Sequence, residues 1–73
     1  MKSALEIKKM RSGKGFFSRN DVIRALEKEG CDMTVQALFN KEHGKSPFTS
    51  KEIKVMSKIY EISLEEAYDF FCE

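Results

Sequence analysis

Long apolar runs are missing from this sequence. No apolar stretch approaches the roughly 20 residues that a membrane-spanning helix needs, so we expect no membrane partner. The first ten residues, MKSALEIKKM, contain no apolar segment of the kind that secretory signals carry. A cytoplasmic location is therefore expected.

Residues that catalysis or metal binding would require are also scarce. Cys31 and Cys72 are far apart, with no cysteine or histidine at ligand spacing, which favours reduced thiols and no metal site. His43 is the only histidine and has no partner near it for catalysis. The GKG at 13–15 lacks the strand and the spacing of a phosphate-binding loop. We expect a protein that is not an enzyme and that uses no cofactor or small-molecule ligand.

The net charge of +1 conceals an uneven distribution. All thirteen lysines and arginines lie in residues 1–58, against seven acidic residues there, which gives +6. Residues 59–73 contain five acidic residues and no basic one, which gives −5. This asymmetry suggests a body that could meet an anionic polymer and an end that faces away from it. A well-solvated surface would explain the same pattern.

Apolar residues recur at helical spacing, and no alternating strand pattern persists. A hydroxyl residue precedes each apolar segment, and an acidic residue often follows three positions later, as in a capping box. Five short helices are predicted, with the caps Ser3, Ser18, Thr34, Thr49 and Ser63 and the capping-box partners Asp21, Glu52 and Glu66. A chain of 73 residues is one domain at most, so we predict a single compact all-α domain over residues 1–73.

The order and spacing of these elements resemble the Cro/CI-type helix-turn-helix proteins, the lambda-repressor-like family of phage and bacterial regulators. The resemblance covers about residues 7–71. Ile7, Met10 and Arg11 match the first-helix pattern, and SRNDVIRAL at 18–26 matches the second helix. MTVQALFNKEHGK at 33–45 is similar to the recognition helix, and the segment 47–71 resembles the last two helices of short prophage-type members.

Four features depart from the family pattern. Phe16-Phe17 adds one residue before the second helix, and EKEGCDM at 27–33 makes the link to the third helix about two residues longer. Ile23 stands where the family usually has a small residue. Lys41 stands where it commonly has an apolar core residue.

The resemblance implies a five-helix helix-turn-helix domain with the motif at about 18–43 and a recognition helix at about 34–43 in the major groove. Leu38 would face the core, whereas Gln36 and Asn40 would offer amides to adenine; ordinary solvated amides are the alternative. The implied base contacts are Val35, Gln36, Ala37 and Asn40, although Val35 could also pack inward. The implied phosphate contacts are Ser18, Arg19, Asn20, Lys41, Lys45 and Lys14. Arg11 and Glu42 would form a structural ion pair.

The implied function is sequence-specific binding of double-stranded DNA by a small transcriptional regulator, such as a repressor or a Cro-like protein. The same fold could instead serve as a protein-interaction module, such as an antirepressor or a phage assembly adaptor. A third alternative is an architectural factor of the excisionase type, which would bend DNA.

The C-terminal segment AYDFFCE suggests a surface for self-association. Its aromatic residues span more than one face of a helix, and the core can take only one face. We therefore predict that Phe70 is exposed beside Val55, which lies off the core stripe of helix four. With Phe71, these residues form the candidate dimer surface of a monomer or weak dimer that becomes dimeric on DNA.

Overall fold

A computed structural model describes residues 1–72, and its regular elements are five α-helices. They are α1 (Ala4–Gly13), α2 (Arg19–Lys28), α3 (Val35–Glu42), α4 (Ser50–Tyr60) and α5 (Leu64–Phe71). No strand occurs within residues 1–72, so the all-α prediction is confirmed. The radius of gyration is 10.7 Å, close to the ~11 Å expected of a folded domain this size. Among the described helices, none has the length and apolar character that crossing a membrane requires.

The predicted hydroxyl caps lie at the start of all five helices. Ser3, Ser18 and Thr49 each form a complete capping box with the acidic residue three positions on. The predicted box at Ser63 is only half formed. Its Oγ accepts from the Glu66 N–H at 3.0 Å, but the Glu66 carboxylate accepts from the Ser63 hydroxyl at 3.5 Å instead of from the backbone.

Three helices end at a glycine in the left-handed region, at Gly15, Gly30 and Gly44, where φ is +89°, +77° and +75°. After each glycine, the next N–H donates to the carbonyl five residues back, which gives the helix a Schellman ending. The long link after α2 therefore starts with a regular helix stop and does not extend α2. Helix α4 ends in the same way, but its left-handed residue is Glu61, with φ of 55°.

Helix α4 is the centre of the core, because it packs against both α2 and α5. The ring of Tyr60 lies between those of Phe16 and Phe71. Its centroid is 5.2 Å from that of Phe16, in an edge-on contact, and 6.1 Å from that of Phe71. Contacts on two sides give α4 a buried face wider than one helical stripe. Val55 is consequently only 9% exposed, and the prediction that it lies outside the core is wrong.

The other two residues of the predicted dimer surface differ in burial. Phe71 is 1% exposed and belongs to the core. Phe70 is half-buried against the N-terminal segment: the Lys2 N–H donates to the Phe70 carbonyl at 3.0 Å, and the Lys2 ammonium lies 5.9 Å from the ring centroid. Val55 and Phe71 therefore lie in the core, and Phe70 is the one residue of the predicted dimer surface that stays partly exposed. Dimerisation itself stays a prediction. The large apolar side chains that are exposed within residues 1–72 are Met1, Leu5, Phe17, Val35 and Leu64.

Candidate nucleic-acid interface

Helix α3 has a buried face and an outer face. Leu38 and Glu42 point into the protein, at 0% and 3% exposure. Val35 is 41% exposed at the start of the helix, so of its two predicted positions it takes the outer one. Gln36 is exposed, and Asn40 is half-buried one turn further along. Of the eight residues of α3, Leu38 and Glu42 are therefore buried, and the side-chain amides of Gln36 and Asn40 lie on the outer face.

The two outer amides bond to each other. Gln36 Nε2 donates to Asn40 Oδ1 at 3.1 Å. This bond uses one hydrogen of the Gln36 amide and leaves Gln36 Oε1 as an acceptor and Asn40 Nδ2 as a donor for a ligand. The amide pair therefore presents one acceptor beside one donor, held in place by an intrahelical bond.

Behind this surface lies a network of three charged side chains, two of them buried. Glu42 Oε1 accepts from Arg19 Nε at 2.7 Å, and Glu42 Oε2 lies 4.0 Å from Arg11 Nε. Arg11 and Glu42 are each 3% exposed. The structure therefore places Arg11 beside Glu42, as the resemblance implies, but at ion-pair distance only. Within residues 1–72, Arg11 Nε and Nη1 and Glu42 Oε2 have no hydrogen-bond partner.

Tyr60 extends this polar cluster into the core. Its hydroxyl has no hydrogen-bond partner within the described residues. Burial raises the pKa of Tyr60 well above its usual value, and the negative charge of Glu42 raises it further. The phenol is therefore neutral at neutral pH.

Two predicted phosphate contacts are already engaged within the protein. Lys41 Nζ lies 2.6 Å from both carboxylate oxygens of Glu52, and its side chain is only 16% exposed. Burial raises the pKa of Glu52, but hydrogen bonds from Lys41 and Thr49 outweigh this effect and lower it overall. This pairing argues against the predicted phosphate contact of Lys41. Arg19 is 27% exposed and uses Nε on Glu42, which leaves its Nη groups for an outside ligand.

The remaining predicted phosphate contacts lie on the surface. Ser18 is engaged as the cap of α2: its Oγ accepts from the Asp21 N–H, and its own N–H donates to the Asp21 carboxylate. That backbone bond is the main reason why the pKa of Asp21 is lowered. Asn20, Lys14 and Lys45 are exposed.

The Phe39 ring contacts several basic side chains beside the amide pair. Arg19 Cζ lies 4.8 Å from its ring centroid, and Lys45 Nζ lies 5.6 Å away. The His43 ring stacks on Phe39 with centroids 4.1 Å apart and an interplanar angle of 27°. Neither Phe39 nor His43 is among the contacts predicted from the sequence. Their spacing of four residues on α3, next to the face of Gln36 and Asn40, was the available signal.

The opposite flank of α3 is acidic. An open groove there is lined by Glu27, Asp32, Met33, Thr34, Ala37, Lys41 and Glu52. Ala37 is half-buried and faces this groove. The two sides of the helix therefore differ in charge, with cations around Phe39 and carboxylates around Ala37.

The described residues contain no group of three or more His, Cys, Asp or Glu side chains placed to hold a metal ion. Cys31 and Cys72 form no disulfide, and burial raises the pKa of the Cys31 thiol. No protein family, curated protein or solved structure is significantly similar to this chain.

Proposed function

We propose that the chain binds double-stranded DNA as a lambda-repressor-like helix-turn-helix regulator, with α2 and α3 as the motif and α3 in the major groove. The observation that carries this proposal is the division of α3: Leu38 and Glu42 are buried, while Gln36 and Asn40 form an outward amide pair. An α-helix with its side chains is about 10–12 Å in diameter, which fits the major groove, about 12 Å wide.

The amide pair would read a base. Adenine presents N7 as an acceptor and N6–H₂ as a donor in the major groove, and each good bidentate contact is worth about 1–3 kcal/mol of discrimination. Asn40 Nδ2 and Gln36 Oε1 supply the complementary donor and acceptor. Val35 would contact a thymine methyl. The small side chain of Ala37 would let the backbone of α3 approach the floor of the DNA major groove.

Phosphate contacts would position the domain and supply most of its salt-dependent affinity. Arg19 is the strongest of these, because the bond from its Nε to Glu42 holds the guanidinium in one orientation. Asn20 lies in the first turn of α2, where free N–H groups and the helix dipole attract anions. Lys45 and Lys14 would add charge from the neighbouring loops.

The test is an in vitro selection of bound duplexes, followed by fluorescence-anisotropy titrations with the selected and a random duplex at about 50 and 200 mM salt. Affinity should fall steeply with salt for both. Gln36→Ala should weaken the selected duplex about tenfold and the random duplex little. Arg19→Gln should weaken both and flatten the salt dependence. Glu65→Ala, an exposed residue of α5, is the control and should change neither.

One observation favours a second function, that of a protein-interaction module. The acidic groove beside Ala37 would repel a phosphate backbone but would suit a basic segment of another protein. If micromolar protein fails to associate with either duplex at about 20–50 mM salt, DNA binding is refuted and this alternative replaces it. Equal losses for both duplexes with Gln36→Ala would mean that α3 is not the reading helix.

A further inference from the structure

The Phe39 cluster, defined as Phe39 with Arg19, His43 and Lys45, places three basic side chains on one aromatic ring. Each lies within 6 Å of the ring centroid, so no two of them are more than about 12 Å apart. Cations over an aromatic face are attracted by its quadrupole. The ring therefore holds together the Arg19 and Lys45 cations, which would otherwise repel each other, and the His43 ring stacks on it as well.

One ring nitrogen of His43 is engaged with the backbone of α3, and the other makes no hydrogen bond within residues 1–72. Its Nδ1 lies 2.9 Å from the Phe39 carbonyl oxygen. A carbonyl oxygen only accepts, so Nδ1 must carry the hydrogen in this contact. Nε2 is then an acceptor in the neutral ring and becomes an N–H donor when the ring gains its second proton. Imidazole is the side chain that ordinarily makes this change between pH 8 and 5.

We propose that the Phe39 cluster is a phosphate-binding site whose strength is set by protonation of His43. The proposal rests on the proposed DNA binding for the identity of its ligand, the nucleic-acid backbone. At high pH, Arg19 and Lys45 hold the phosphate. At low pH, His43 adds a charge and the Nε2–H donor, so one further charge-assisted bond forms.

The charges around His43 support an external anion as its partner. On α3, Glu42 is the neighbouring carboxylate, but it is buried and bonded to Arg19 of α2. Lys45 follows in the loop. Met1 and Lys2 of the N-terminal segment line a groove together with His43. The exposed carboxylates of Glu6 and Asp69 pair with Lys2, and among residues 1–72 no carboxylate forms an ion pair with His43 itself, so an incoming phosphate can serve as its counterion.

The experiment compares the intact chain with His43→Gln on a random duplex, using fluorescence anisotropy at pH 8.0 and pH 5.5 and at two salt concentrations. For the wild type, affinity should rise about five- to tenfold as the pH falls. The slope of log K against log salt should become steeper by about 0.9, which corresponds to one added phosphate contact. In His43→Gln the affinity and the salt slope should be nearly the same at the two pH values. Asp21 and Glu52 remain ionised over this range because their pKa values are lowered.

A second measurement tests the site without DNA. His43 is the only histidine, so its imidazole gives one assignable proton resonance. Adding inorganic tripolyphosphate, or the duplex, should raise the midpoint of its titration, since proton and anion binding are reciprocally coupled. Circular dichroism of both proteins at each pH checks the fold.

The outcomes separate the two proposals. DNA binding with the same pH dependence in wild type and His43→Gln overturns the role of His43 and leaves DNA binding intact. Absence of DNA binding, with a raised midpoint in tripolyphosphate, overturns DNA binding and leaves the anion site intact. If neither tripolyphosphate nor the duplex changes the midpoint of the His43 titration, the proposed phosphate site is refuted.

Discussion

Removing the negative charge at the centre of the buried network should cost far more stability than removing one of its positive charges. Glu42 is the only carboxylate between Arg11 and Arg19 in the described structure. Glu42→Gln would leave two guanidinium groups without a counterion, one of them 3% exposed. Breaking a buried pair in this way costs about 3–5 kcal/mol.

Arg11→Met should be nearly neutral, within about 1 kcal/mol. The lost attraction across 4.0 Å is about 4 kcal/mol at an effective dielectric constant of 20. Against this, the substitution removes a charge whose burial costs several kcal/mol and two N–H groups that have no partner in the described structure. Glu42 keeps its 2.7 Å bond to Arg19. A domain of 73 residues is stable by about 4–11 kcal/mol, so the two variants should be easy to tell apart.

Urea denaturation followed by far-ultraviolet circular dichroism gives the free energy of unfolding of each variant, provided that the m-values agree. The variant that combines Arg11→Met with Glu42→Gln should be about 2 kcal/mol more stable than the sum of the two single losses in unfolding free energy predicts. Glu29→Gln is the control, because its 4.0 Å contact with Lys58 is exposed and worth little. An Arg11→Met loss as large as that of Glu42→Gln, or strict additivity, would refute the reasoning.

Three further predictions concern stability. Phe71→Ala should cost about 3–5 kcal/mol, whereas Phe70→Ala should cost less than half as much because that ring is half-buried; denaturant titration distinguishes the two. Glu61→Gly should raise the melting temperature, since it removes a left-handed strain of about 1 kcal/mol from a non-glycine residue. Because the pKa of Glu52 is lowered in the fold, its stabilising effect is present above the usual carboxyl range and is lost as the pH falls through the folded-state pKa. The stability advantage of wild type over Glu52→Gln should therefore be full at neutral pH and shrink below about pH 4.

Helix boundaries could be predicted from the sequence because their signals are local. A cap such as Ser3 or Thr49 and its partner are three residues apart, and a stop such as Gly30 acts within one turn. The side-chain partners of the candidate site could not be predicted in this way. Arg19 reaches Glu42 across 23 positions, and Lys41 reaches Glu52 across 11. Helical periodicity also treats each helix as having one buried stripe, which fails for α4 because it is packed on two sides.

The way in which α1 is attached has a consequence for how the protein opens. The most extensive helix contacts join α4 with α5, α2 with α3, and α2 with α4, while α1 is anchored mainly by the buried side chains of Ile7 and Arg11. Releasing α1 exposes an apolar side chain but also returns a buried guanidinium to water, which offsets part of the cost. Native-state hydrogen exchange should therefore resolve α1 as a separate low-energy unit that opens before the rest. Since Arg19 still neutralises Glu42 in that open form, α3 keeps its support on α2, and the surface proposed to meet DNA outlasts the first step of unfolding.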